Sequence, residues 1–275
     1  MTITKSIKKE SKEFLKNNWT NAIAVCVIAI FFNLLLTTLE GFLIAISEYF
    51  ALGEKLSHII HVIAPNVIIE MIIAVSCGFV WLFLISPLLI GKKRWYGNLS
   101  LKNPLPIKEI FHFFTSPKRY FKSVVISLFV FLQLTFYFII LSIIPISSFA
   151  LSNILMSNMS QTTQSFGIIA FLLGCGFLLI AVIIMVKLCL DFSLATYVFA
   201  MNEDIKILKA IKLSKLSVNQ KESILILFNL SFVHLFILSA LIIPLFFILP
   251  YYNCAHIVIM NKLLENHQKH SPNIT

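Results

Sequence analysis

Glu54, His58 and His61 stand at i, i+4 and i+7, a spacing that would put a carboxylate and two imidazoles on one helix face as three ligands of a zinc ion with an open position. Without a fourth ligand this is a weak metal motif, and His267 with His270 is a weaker one. The other side chains able to do chemistry lie in apolar sequence. Glu70 comes five residues after Pro65, where the dipole at a helix start favours an acid. Lys187 and Asp191 are four apart and suit an ion pair on one face. Gln133, Asn229 and His234 stand midway along apolar runs, and His256 lies in the inner half of the last one, where such groups hydrogen-bond between helices. Each also has a second reading as a contact for a transported solute or proton, because ionisable and polar groups inside a bilayer are functional candidates by default. A His-Glu-x-x-His pair, a phosphate-cradling glycine loop and a nucleophile elbow do not occur in the sequence. No catalytic residue, cofactor or metal is assigned.

The elements that must position these residues follow from composition. The 275 residues are 59% hydrophobic and 12% charged, with a mean hydropathy of +0.92. Soluble domains carry roughly 25% charged residues, so this chain belongs in a bilayer. The net charge of +10 would suggest nucleic acid in a soluble protein. Here the lysines flank apolar runs, and only Arg94 and Arg119 offer guanidinium groups, which argues against nucleic acid and for positive-inside topology. The five cysteines fall inside apolar spans and read as small buried hydrophobes. The polar, basic N-terminus is long for a cleaved leader and is expected to be retained.

Along the chain, residues 3–16 read as a basic helix lying on the membrane surface. Trp19 marks an interface, residues 22–39 form a first span, and a loop with Glu40, Glu48 and Glu54 goes outside. A second span covers residues 67–90 and ends in the basic and aromatic cluster Lys92, Lys93, Arg94, Trp95 and Tyr96. Ile107, Ile110, Phe111 and Phe114 make the stripe of a second amphipathic helix. Ser116 and Pro117 then start a helix that enters a third span at 124–144. An uncharged loop over 145–165 precedes a fourth span at 166–190. Asn202 is read as the N-cap of a third basic helix carrying Lys206, Lys209, Lys212 and Lys215, and Ser217 with Gln220 as a capping box for the fifth span at 223–241. A sixth span would follow a turn near Pro244.

The result is an expected all-α integral membrane protein of about six transmembrane helices in three hairpins, each preceded by a basic amphipathic surface helix. The repeat-like units are 1–96, 97–201 and 202–266 of one membrane domain at 1–266, with a polar tail at 267–275. All 22 basic residues except Lys55 then lie on the cytoplasmic side, with both termini inside.

The stretches SIKKESKEFLKNNWTNAI from Ser6, SPLLIGKKRWYGNL from Ser86, IKEIFHFFTSPKRYFKSV from Ile107, MNEDIKILKAIKLSKLSVNQK from Met201 and LPYYNCAHIVIMNKLLE from Leu249 resemble, in order and kind, an uncharacterised family of bacterial multi-pass membrane proteins. That family is common in clostridia and classed as a domain of unknown function. It is more distantly similar to membrane domains joined to glycerophosphodiester phosphodiesterases. The resemblance implies a bacterial cytoplasmic membrane and no catalysis, and it transfers no functional residue. The chain departs from the family where Ile242, Ile243 and Pro244 replace a glycine-containing turn.

The function expected is a non-enzymatic accessory or organising component of that membrane. Its partners would be the bilayer, anionic headgroups of the inner leaflet and a further membrane protein. A small transporter or export factor would need polar groups converging at mid-membrane depth. A membrane-embedded lipid enzyme would need clustered acids and histidines at one interface.

Overall fold

A computed structural model describes residues 3–55, 64–157, 161–219, 221–238 and 242–270. These residues form helices and no strands. Four helical stretches among them are long and apolar enough to cross a membrane: Trp19–Ser47, Ile69–Ser100, Pro117–Met156 and Thr162–Met201. Large apolar side chains are exposed along these stretches, among them Phe31, Phe79, Leu132, Phe138 and Leu179.

Helix α1 (Ile3–Leu15) buries Ile7, Ser11 and Leu15, spaced by four, and exposes Lys5 and Lys9, while Lys8 and Lys12 turn toward aromatic rings of α8 and α9. Helix α2 (Trp19–Lys55) continues through Glu40 and Glu48, where a loop was expected. Residues 40–55 hold two glycines but no proline, and glutamate is a good helix former, so nothing stops the helix.

Helices α3 (Ala64–Val80) and α4 (Ser86–Ser100) are joined by a π-helical segment, Trp81–Ile85. Pro87 explains the wide turn. It has no N–H to give the carbonyl of Phe83, four residues back. The Tyr120 hydroxyl supplies that hydrogen bond instead, at 3.1 Å, and Trp81 Nε1 donates to Asn33 Oδ1 at 3.0 Å to tie the segment to α2.

The second amphipathic segment, Ile107–Phe114, is a 3₁₀ helix. Its period of three buries Ile110 and Phe113, while Phe111 and Phe114 of the expected stripe are exposed. The 3₁₀ backbone rests on α4 at Gly91, where a Cβ would lie 1.9 Å from the Ile110 carbonyl oxygen. Trp95 Nε1 donates to the Leu105 carbonyl at 2.8 Å, and Phe113 stacks on Phe199 at 5.7 Å.

Helix α5 (Pro117–Met156) starts where Ser116 and Pro117 place it and runs through Pro145. The uncharged loop is therefore shorter than expected, since α6 (Gln161–Met201) begins soon after. The two pack closely at their far ends. A Cβ on Gly174 would meet the Phe149 ring at 2.9 Å and one on Gly167 the Met156 side chain at 2.8 Å, and Ser152 Oγ donates to the Gly167 carbonyl at 2.9 Å. Small residues allow this approach, as is usual between membrane helices.

After a turn, α7 (Ile207–Val218) begins at Lys206 and not at Asn202, whose side chain instead accepts the Asp204 N–H. Ser217 lies inside α7 with its hydroxyl buried, so it does not cap the next helix; Gln220 lies outside the described residues. Helix α8 (Glu222–Leu238) leaves α7 at 83°.

Helix α9 (Ile242–His270) returns along α8: Phe228 meets His256, Phe232 meets Tyr252, and Phe236 meets Tyr252. α9 is the centre of the basic end. Cys254, Ala255, Ile257, Val258, Ile259, Met260 and Leu263 are all buried, as expected of a helix enclosed on every side; α1, α2, α4, α7 and α8 pack around it. α1 runs antiparallel to it, with Glu10 bonded to Lys262 at 2.5 Å, Ser11 beside Cys254, and Lys12 over the Tyr251 ring. A fifth and a sixth span were expected here; among the described residues α7 with α8 counts as a fifth if that bent pair is one span, and α9 is not among the stretches that qualify. Its lower half carries Tyr251, Tyr252, Asn253, His256, Asn261 and Lys262, and a lysine-rich helix flanks it.

Candidate functional site

Two polar assemblies stand out at the basic end. The first is a clasp around Glu203, in the turn between α6 and α7. Arg94 Nη1 of α4 lies 2.7 Å from Glu203 Oε1, and Arg119 Nε at the start of α5 lies 2.8 Å from Oε2. His112 Nε2 of the 3₁₀ helix approaches Oε1 at 2.5 Å, with its Nδ1 3.1 Å from Glu109. Lys122 Nζ donates to the Glu203 backbone carbonyl at 3.0 Å. Both arginines of the chain therefore meet one carboxylate, whose side chain is 20% exposed. Charge-assisted contacts of this kind are the strong ones, and together they join α4, the 3₁₀ helix, α5 and the α6–α7 turn. Lys93 extends the joint, donating to the Ser193 carbonyl at 3.0 Å and to Thr196 Oγ1 at 2.5 Å.

A second assembly is a cleft of about 580 Å³ between α1, α8 and α9, lined by Lys8, Lys12, Lys16, Trp19, His234, Leu235, Phe247, Ile248 and Tyr251. The three lysines sit on one face of the N-terminal segment at a spacing of four. Lys8 Nζ donates to the Ser231 carbonyl at 2.7 Å and lies 4.3 Å from the centre of the Phe232 ring. Burial and the neighbouring charge of Lys12 hold the Lys8 ammonium below the ordinary lysine range. The lining contains no carboxylate.

The residues singled out from sequence are dispersed. Asn229 bonds between helices, its Oδ1 accepting the Tyr252 hydroxyl at 2.8 Å. His234 does not: it is exposed in the lysine cleft. Gln133 is on α5, among side chains that pack against α6, and its Oε1 is buried without a hydrogen-bond partner among the described residues. Lys187 reaches across to Glu222 of α8 at 3.2 Å instead of pairing with Asp191, and the Asp191 backbone carbonyl accepts the Ser214 hydroxyl. Glu70 is half-buried, at the N-terminal end of its apolar stretch. His256 stacks on Tyr252 at 5.6 Å. Glu54 is the penultimate residue of α2, while His58 and His61 lie outside the described residues. No group of three or more potential metal ligands occurs among the described residues. Of the cysteines, Cys26 and Cys254 are buried as expected, but Cys189 is exposed.

Sequence reasoning missed the Glu203 clasp because reading Asn202 as an N-cap places Glu203 in the first turn of a helix that begins only at Ile207. A signal was present: two arginines in a lysine-rich chain, each beside aromatic residues, call for a planar acceptor. The five stretches that carried the family resemblance contribute to one hydrophobic core, with buried residues from α1, α4, the 3₁₀ helix, α7 and α9. No curated protein and no solved structure matches the chain. A family model does match, over residues 1–267, and the chain belongs to that family, described as a protein of unknown function, DUF975.

Proposed function

We propose that this chain is a non-enzymatic accessory component of a bacterial cytoplasmic membrane: four crossing helices carrying a rigid basic platform on the cytoplasmic side, with both termini there. The α8–α9 hairpin is the third hairpin of the expected plan, entering the inner leaflet at its tip instead of crossing. Support comes from α1, whose lysines accompany α9 over much of its length and could not follow it through the hydrocarbon core. Exposed Ile237, Leu238, Phe246 and Phe247 at the tip suit contact with acyl chains. The bacterial setting and the likeness to membrane domains of glycerophosphodiester phosphodiesterases rest on the resemblance of the five stretches and not on the family match.

One observation carries the accessory reading: the charged and polar groups of the platform are engaged in holding helices together, above all through Glu203. A transporter would need such groups to converge on a pathway, but Glu70, Gln133 and His234 stand on three different helices in separate surroundings. The test is to extract the tagged chain with its surrounding membrane in polymer nanodiscs and identify what accompanies it. The accessory reading requires a stoichiometric protein partner that withstands washing. A retained solute with no protein partner would contradict it and favour transport.

A further inference from the structure

We propose that the cleft between α1, α8 and α9 is a binding site for one anionic phospholipid, with Lys8, Lys12 and Lys16 around the phosphate and Trp19, Leu235, Phe247 and Ile248 along the upper acyl chain. This deepens the reading above, since it rests on the basic platform facing the cytoplasmic leaflet. Three observations point to this occupant. Three ammonium groups share a cleft with no carboxylate to balance them, although glutamates are available on the same helix: Glu10 pairs with Lys262 instead, and Glu13 lines a different cleft. The charge is matched to an anion, and a lysine is a point charge suited to a phosphate that turns and exchanges. The opposite wall is apolar and aromatic and continues into the exposed hairpin tip at Ile237, Leu238 and Phe246. A free phosphate would use the lysines alone, whereas an amphiphile uses both walls. Trp19, half-buried and 6.1 Å from the Phe247 ring, stands where headgroup meets chain, the depth at which indoles concentrate.

Trp19 also supplies the test. The full chain is reconstituted into phosphatidylcholine vesicles containing equal fractions of either phosphatidylglycerol or phosphatidylcholine with brominated acyl chains. Tryptophan quenching is then followed, and W19F isolates the contribution of Trp19 from those of Trp81 and Trp95. Brominated phosphatidylglycerol should quench Trp19 more strongly than brominated phosphatidylcholine. Near an anionic surface each lysine is worth about fivefold in affinity, so K12Q/K16Q should reduce the preference by about 25-fold. K209Q/K212Q removes the same charge from exposed positions on α7 and should leave the preference intact. Equal quenching by the two lipids, or equal loss in both double variants, overturns the site. So does abolition of the preference by inorganic phosphate in solution, which would assign the lysines to a soluble anion. Maleimide labelling of orientation separates the two proposals: if the platform is cytoplasmic and the preference is absent, the site alone falls.

Discussion

Gly91→Ala tests how closely the 3₁₀ helix sits on α4. The new Cβ would be placed 1.9 Å from the Ile110 carbonyl oxygen, 2.8 Å from its carbon and 3.3 Å from its Cα. All three are backbone atoms, so no side chain can swing away. Ordinary contacts between heavy atoms lie near about 3.5 Å, which requires the 3₁₀ helix to move by roughly 1.5 Å. Overpacking of this kind costs about 1–3 kcal/mol. Placing alanine in a helix interior contributes about 1 kcal/mol in the opposite direction, so the expected net effect is a loss of up to about 2 kcal/mol and a melting temperature lower by up to roughly 8 °C. The shift should also weaken the Trp95–Leu105 hydrogen bond and the Phe113–Phe199 stack, changing Trp95 emission below the transition. Thermal unfolding in detergent, followed by that emission, is the assay. Gly176→Ala is the control, because its Cβ would meet nothing within 4 Å and propensity alone should act. If Gly91→Ala raises the melting temperature by as much as Gly176→Ala does, the close approach is refuted.

Other substitutions address the joints of the platform. Glu203→Gln leaves Arg94 and Arg119 facing a neutral amide; at 20% exposure the cost should fall between the exposed and buried limits, about 2–3 kcal/mol, read as a lower melting temperature that Glu203→Asp only partly reproduces. Tyr120→Phe removes the donor to the Phe83 carbonyl and should cost about 1 kcal/mol. In that background Pro87→Ala restores an N–H four residues after Phe83, so a double-mutant cycle in thermal unfolding should show coupling of opposite sign to the single losses. Additive effects would mean that Tyr120 is not the substitute donor.

The long apolar helices and the start of α5 were legible because composition, proline placement and basic clusters act locally. Reading the 3₁₀ segment as an α-helix gave the wrong buried face, since Phe113 and Phe114 are both apolar and only the period decides between them. The continuation of α2 past Glu40 was hidden by treating acids as loop markers, although glutamate does not break a helix. The pairing of the last two helices was expected from the sequence, but the packing of α1 along α9 was not, because it joins chain ends about 240 residues apart. For the same reason neither assembly of the basic end could be read in advance. The Glu203 clasp gathers residues from 94 to 203, and the lysine cleft joins the first helix to the last two. The hydrogen bond from Tyr252 to Asn229 lies between the two helices that the repeat plan pairs.

Orientation is the most direct test of the central claim, that the platform built on α9 lies on the cytoplasmic side. In a variant without the five native cysteines, Lys102→Cys after α4 and Ser157→Cys after α5 place single thiols at exposed positions of opposite ends. A membrane-impermeant maleimide applied to intact cells should label position 157 and not position 102, and inverted vesicles should reverse the result. Labelling of position 102 from outside intact cells would contradict the account.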